Sequence, residues 1–296
     1  MQSFLDPAAI SQAEGLGLQA RLIVEGYMAG EHRSPFHGFA IEFSQHREYG
    51  PGDDIRHLDW KVLGRTDRYY IKQYDQETNY VAHLVIDGSE SMKYGSGKLS
   101  KFDFARVLGA CLAYLVLNQR DAVSLEVFDT KVRTHLPRSG NLGSIRTIME
   151  ALSGFEPAGE TDIGGVLHEL AGRIKRRGIV VVISDCLAND EGVLAGIQHL
   201  RFTGSEVILF HVMDPFELEF PFKGMIEFEG LENAPKQKAQ AAEIRKSYLA
   251  EVEQFCRSLR EGCEKMNCHY QLVNTGHPVA EVLSGYLAFR AGQTRR

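Results

Sequence analysis

The chain reads as an α/β protein with a doubly wound, mostly parallel sheet and an N-terminal helix-plus-β extension. Three observations predict this. Short apolar runs recur at 81–86, 122–128, 179–184, 206–212 and 268–273. Three of the five are nearly continuous in Val, Ile and Leu, the mark of strands covered on both faces. Helical stretches separate the runs, which is the alternation of a doubly wound sheet. With 296 residues, 44% hydrophobic and 24% charged, the chain can bury such a core without covalent staples.

Taken in order, residues 7–30 read as helical and are followed by two strands, at 38–44 and 68–75. These form an extension of residues 1–80, and the larger domain takes 81–296. Between the two strands lies a charged stretch that includes Arg47, Asp53, Arg56, Asp59, Lys61 and the only tryptophan, Trp60. After the strand at 81–86, "KFDFARVLGACLAYLVLNQ" (101–119) is apolar almost all round, predicting a well-buried helix. The run 130–137 follows the next strand after only "FDT", so it reads as a hairpin partner on an antiparallel edge. A helix over 161–178 is opened by Thr161 as a cap, carries basic residues in its last turn and stops at Gly178. Residues 213–236 break the rhythm with proline and aromatics among acids, an irregular insertion or small β element. In 239–266 a helical stripe is formed by Ile244, Tyr248, Val252, Phe255 and Leu259.

Bulk chemistry removes some functions. A formal net charge of −6 argues against a general grip on nucleic acid, and the basic "KRRG" at 175–178 fits a helix C-terminus instead. Five cysteines show neither knuckle spacing nor a disulfide framework. Cys256, Cys263 and Cys268 with His269 are the one Cys/His cluster to weigh as a metal site. Cys256 and Cys263 share a helical face, however, and read as buried. The first 30 residues lack a basic start followed by an apolar block, and no window reaches 18 uninterrupted apolar residues. No membrane span and a reducing cytoplasm are expected.

The chemistry-bearing constellation starts at "HLVIDGSES", where an apolar strand ends in Asp87 and continues with Ser89 and Ser91 at alternate positions. Side chains at alternate positions of an extended segment point the same way. Two readings fit: three oxygens converging on a hard cation, or a turn whose hydroxyls satisfy helix N–H groups. A second apolar strand, "VVVISD", ends in Asp185. If the two strands are parallel neighbours, both acids stand at the carboxyl edge, where such sheets bind ligands. Thr161, in the glycine-flanked turn "GETD", serves either as helix cap or as a further oxygen. The set Asp87, Ser89, Ser91, Thr161 and Asp185 contains neither thiolate nor imidazole, which suits Mg²⁺, Mn²⁺ or Ca²⁺ and disfavours zinc or copper. No histidine stands beside Asp87, and His83 lies inside the strand. The expected cation therefore holds a ligand rather than serving a reaction.

These five positions resemble the metal-ion-dependent adhesion site (MIDAS) of von Willebrand factor A domains, an Asp-x-Ser-x-Ser run with a separate Thr and a separate Asp. The resemblance implies a von Willebrand factor A, Rossmann-like sheet with Mg²⁺ at the site. "SDC" at 184–186 departs from the frequent Ser-Asp-Gly, which bears on the local turn. The extension is similar to the domain-of-unknown-function 58 (DUF58) family. Its Arg-x-Tyr-x-x-Gly-Asp-x-x-Arg-x-x-Asp-Trp block maps to Arg47, Tyr49, Gly52, Asp53, Arg56, Asp59 and Trp60. Together the two similarities span roughly residues 30 to 275. The family resemblance implies a MoxR-type AAA+ ATPase as partner. The block itself reads as a structural ion-pair network or as a partner surface.

The expected function is a non-enzymatic, metal-dependent protein–protein interaction module, an adaptor that binds an acidic residue of its partner through a divalent cation. Two alternatives stand beside it. One is a metal-dependent phosphoesterase or nuclease, for which Asp59 and Lys61 would share a face if extended; a haloacid dehalogenase type is disfavoured because Ser89 holds the place of its second acid. The other is a scaffold with a vestigial site.

Overall fold

The computed structural model describes residues 42–48, 69–75, 81–174, 177–187, 190–228 and 237–293, with positions 16, 20, 50, 62 and 64. The chain divides into two compact units, Phe36–Asn79 and Met1–Pro35 with Tyr80–Arg296. One division falls beside the expected boundary at 80, and the other divides the expected extension of 1–80. Of the helical stretch expected over 7–30, Leu16 and Ala20 are described, both helical and buried; the remainder lies outside the described residues.

In the smaller unit, β1 (Glu42–Glu48) pairs antiparallel with β2 (Tyr70–Asp75), with an irregularity between Phe43 and Gln45. The strand expected over 38–44 thus runs on to Glu48, with Arg47 opposite Ile71. The apolar cue stops at Phe43, but a two-stranded ladder is carried by backbone hydrogen bonds and continues through polar residues. Tyr49, Gly52, Asp53, Arg56, Asp59, Trp60 and Lys61 lie outside the described residues.

The larger unit runs β3 (Val81–Asp87), α1 (Lys101–Asn118), β4 (Ala122–Phe128), β5 (Val132–Ser139), α2 (Ser144–Ser153), α3 (Ile163–Arg173), β6 (Ile179–Ser184), α4 (Asp190–Phe202) and β7 (Glu206–Met213). It continues with α5 (Pro215–Glu219), β8 (Met225–Phe228), β9 (Gln237–Gln240), α6 (Ala241–Lys265), β10 (His269–Asn274) and α7 (Val279–Gln293). The main sheet has the order β10-β7-β6-β3-β4-β5, and β5 alone is antiparallel to its neighbour. From β3 the chain winds one way through β4 and β5, then returns to β6 and winds the other way. Strand order therefore reverses between β3 and β6, and the crevice beyond their carboxyl ends is the ligand position of such sheets. The doubly wound prediction holds, including the antiparallel edge. This is the von Willebrand factor A-like arrangement.

Helix α1 packs with α2 and α7 on one face, and α3, α4 and α6 cover the other. α1 starts in a capping box between Ser100 and Asp103 and is buried almost all round, as its composition predicts. α3 corrects the expectation for 161–178. Its cap is Asp162, which accepts from the Gly165 amide at 2.9 Å, so Thr161 is left for other bonds. The helix ends at Arg173 because Ile174 turns extended, well before Gly178; residues 175 and 176 of the basic stretch lie outside the described residues. Gly164 lets α3 approach α4, since a Cβ there would stand 2.8 Å from the Gly192 carbonyl oxygen.

The stretch 213–236 contains α5 and half of the β8–β9 hairpin, with 229–236 outside the described residues. Its aromatics form a cluster in which Phe220 meets Phe222 and Tyr248 with ring centroids 5.1 and 4.7 Å apart. All five cysteines are free and buried, Cys263 and Cys268 within the apolar core, while His269 faces Glu206 at 3.5 Å. Among the described residues no helix is long and apolar enough to cross a membrane.

Candidate functional site

The reversal of strand order sets Asp87, at the end of β3, beside Ser184 and Asp185, at the end of β6. All three are fully buried. The Asp87 carboxylate is held from several sides. Its Oδ1 accepts from the Ser89 amide at 2.9 Å, the bond that turns the chain out of the strand. Its Oδ2 accepts from Ser184 Oγ at 2.6 Å and from Thr161 Oγ1 at 3.4 Å. Thr161 is delivered by a loop stitched to the one after β3: the Glu90 amide donates to the Gly159 carbonyl at 2.8 Å, and the Ala158 amide to that of Gly88 at 3.0 Å.

Ser89 bears on the capping reading of the serine run. It stands at the cap of the short 3₁₀ turn Glu90–Lys93, yet its side chain makes no capping bond. The Ser89 and Ser91 hydroxyls instead face each other at 3.0 Å, both buried. Asp87, Ser89, Ser91 and Thr161 are thus linked in one cluster, with Asp185 across from it. Ser184, last residue of an apolar strand, was not singled out from sequence; its adjacency to Asp185 was the only signal.

Asp185 brings its own countercharge. Its Oδ1 accepts from the Leu187 amide at 3.1 Å, and its Oδ2 lies 2.8 Å from Lys101 Nζ. That contact is a buried ion pair, so Oδ2 already faces a positive charge at close range. Lys101, first residue of α1, is fully buried, and its ammonium donates to Glu217 Oε1 at 2.7 Å. Glu217 accepts from the Asp214 amide at 2.8 Å, and Asp214 in turn receives Ser96 Oγ at 2.5 Å. A chain of charged and polar groups therefore connects Asp185 to α5. Sequence reasoning missed it, because a lysine opening a helix ordinarily reads as a solvated residue.

The electrostatics follow from burial. Burial and then repulsion by Asp185 push Asp87 up to about 7, against the bonds from Ser184 and Ser89 that favour its ionised form. Burial alone would lower Lys101, but Asp185 and Glu217 outweigh it and hold the ammonium above its usual range. His211 anchors the Asp185 backbone. The Asp185 carbonyl only accepts, so Nε2 donates to it at 2.9 Å and Nδ1 accepts from the Tyr270 hydroxyl at 2.8 Å. Burial lowers this histidine to about 4, so it is neutral. Cys186 takes a left-handed φ of 54°, the conformation glycine adopts without strain. The turn at "SDC" thus keeps a glycine-like backbone with cysteine in place of glycine.

Gly88 is required by close approach. A Cβ there would overlap the Phe155 ring and stand 3.1 Å from Val127 Cγ1. Gly88→Ala is expected to lower stability by about 1–3 kcal/mol, read from the urea midpoint, and Phe155→Leu in the same chain is expected to restore part of the loss. An unchanged midpoint in the single variant would refute this packing.

The donor set fits a hard cation in kind: hydroxyl and carboxylate oxygens only, with two buried acids. It is carboxylate-poor, however. Among the described residues no three Asp, Glu, His or Cys side chains cluster so as to hold an ion.

The sheet order is that of a von Willebrand factor A-like fold. The family described as "Protein of unknown function DUF58" matches residues 45–255, and the chain belongs to it. Uncharacterized proteins of Mycobacterium tuberculosis and Mycobacterium bovis are 28% identical over 237 residues, covering 77% of this chain and 72% of each of theirs. Similar solved structures include BatB from Bacteroides thetaiotaomicron, with 16% identity, TM-score 0.49, and coverage of 72% of this chain and 99% of that one. The VWA domain of SpRpn10 is similar at 10% identity and TM-score 0.41, covering 70% of this chain and 94% of that one.

Proposed function

We propose that the chain is a non-enzymatic interaction module that binds an acidic residue of a partner protein through a divalent cation, Mg²⁺ above Mn²⁺ or Ca²⁺. The observation that carries this reading is the convergence of Asp87, Ser89, Ser91 and Thr161 at one point beside buried Asp185, with no serine hydroxyl spent on capping. These five residues would hold the cation, Ser184 orients Asp87, and Lys101 offsets part of the negative charge. When bound, the cation supplies an electrophilic centre for an outside carboxylate. Two nearby reactive groups are otherwise engaged, which supports binding over catalysis. Both His211 nitrogens are bonded, and burial, with Asp185 and Asp87, raises the Cys186 thiol well above its usual range. The partner we put forward is a MoxR-type AAA+ ATPase, the association that the family implies.

Calorimetric titration tests the reading. Mg²⁺ is expected to bind with a dissociation constant on the order of 0.01–1 mM, and Asp87→Ala to abolish both binding and Mg²⁺-dependent capture of the ATPase. Capture that persists unchanged in chelator would defeat the bridge. A metal-free scaffold is the second reading, favoured by the ammonium already facing Asp185. No heat of binding and equal thermal stability with Mg²⁺ or chelator would decide for it.

A further inference from the structure

A second polar file crosses the sheet near the amino ends of the same strands. On the face covered by α3, the register sets His83 beside Ser124 and Glu126 beside His135. His83 Nδ1 lies 2.8 Å from Ser124 Oγ, Ser124 Oγ donates to Glu126 Oε2 at 3.3 Å, and His135 Nδ1 faces Glu126 Oε1 at 3.1 Å. Ser124 spends its one proton on Glu126, so His83 donates to Ser124 from Nδ1 and keeps Nε2 as an acceptor. Ser124 and Glu126 are 3% and 2% exposed, on a face otherwise filled by Val85, Val180 and Val182.

Polar groups buried among valines call for an explanation. An inward-pointing polar side chain on an edge strand guards against pairing with other chains, and this accounts for His135 on β5. It does not account for Glu126 one strand in, or His83 two strands in. These groups instead line a cavity of about 340 Å³, within the size range of small-molecule sites. Its far wall is apolar, formed by Leu170 and Ile174 at the end of α3 and by Pro137 on β5. Among the described residues the charged groups facing it are Glu126 on β4, Arg138 on β5 and Arg173 on α3, beside the His83 and His135 rings. Arg173 pairs with Glu169 at 2.5 Å. Among the described residues Arg138 has neither an ion pair nor a hydrogen bond, and its side chain is exposed at the rim.

We infer that this cavity binds a small organic anion with an apolar body: the anionic group on Arg138, the body against Leu170, Ile174 and Pro137, and a hydroxyl or amide on the His83–Ser124–Glu126 chain. The site is separate from Asp87 and needs no metal. The test titrates the full chain, in chelator, with 4-hydroxybenzoate and with phenyl phosphate, using neutral 4-hydroxybenzamide as control. At least one anion is expected to saturate, with the amide about tenfold weaker or more, and Arg138→Gln is expected to weaken the anion about tenfold while leaving the amide unchanged. Preference for the carboxylate or the phosphate names the source of the anion. Failure of both anions to saturate, equal binding of anion and amide, or indifference to Arg138→Gln would overturn the inference. Arg138 is exposed, so its variant is expected to keep the wild-type melting temperature and the comparison is free of folding effects.

Discussion

Lys101→Met is expected to destabilise the chain by about 3–5 kcal/mol, the usual cost of removing one member of a buried ion pair. The melting temperature should fall on the order of 10 °C. Methionine retains most of the apolar stem, so the loss isolates the ammonium from its packing. Without it, fully buried Asp185 and largely buried Glu217 face each other with no countercharge. Two further measurements separate this cause from general damage. Lys101→Met combined with Asp185→Asn is expected to recover part of the stability, because the second change removes the stranded charge. Mg²⁺ is expected to stabilise Lys101→Met more than the wild type, because the vacated positive charge makes the site more attractive to a cation. A fall below about 1 kcal/mol would place the pair among exposed salt bridges and contradict its burial.

The contrast between Asp87 and Lys101 shows what local sequence carries. Asp87 and Asp185 were legible because each ends a run of apolar β-formers, and parallel pairing of two such strands puts their ends together whatever the distance along the chain. The antiparallel β5 was legible for a similar reason, since "FDT" is too short for a crossover. Lys101 was not, because its partners lie on other elements: Asp185 after β6, and Glu217 on α5 inside a stretch without periodicity. The cap of α3 was misplaced by one residue because Thr161 and Asp162 are both good caps. The choice was made by tertiary structure, in which Thr161 is drawn to Asp87 and Asp162 alone is free to bond Gly165. The polar file at His83 was hidden for the opposite reason. Its members sit inside strands whose apolar neighbours identify the element, and only the pairing register reveals that they share one face.

Asp87→Asn is expected to remove a large part of the pH dependence of stability in metal-free protein. Asp87 titrates near 3.8 when unfolded and is pushed up to about 7 in the fold, so between these values the native state holds more protons than the unfolded one. Stability therefore falls as pH rises. The contribution is complete below about 3.8 and is lost by the time pH passes about 7, a decline on the order of 4 kcal/mol for a fully buried group. Glu126, raised to about 7 by burial, adds a decline of the same sign. His83 and His211, lowered to about 4, act oppositely, because between about 4 and 6.5 the unfolded state holds more protons. These three contributions are common to wild type and variant and cancel in the difference between their urea-derived stabilities. That difference should change by several kcal/mol between pH 4 and 7 in chelator. In saturating Mg²⁺ it should flatten, because the cation keeps Asp87 ionised across the range. A difference that stays flat in chelator would mean that the carboxylate is not held in a desolvated, like-charged setting. A slope unaffected by Mg²⁺ would mean that the cation does not reach it. The two results answer separate questions, one about the buried acid pair and one about the metal.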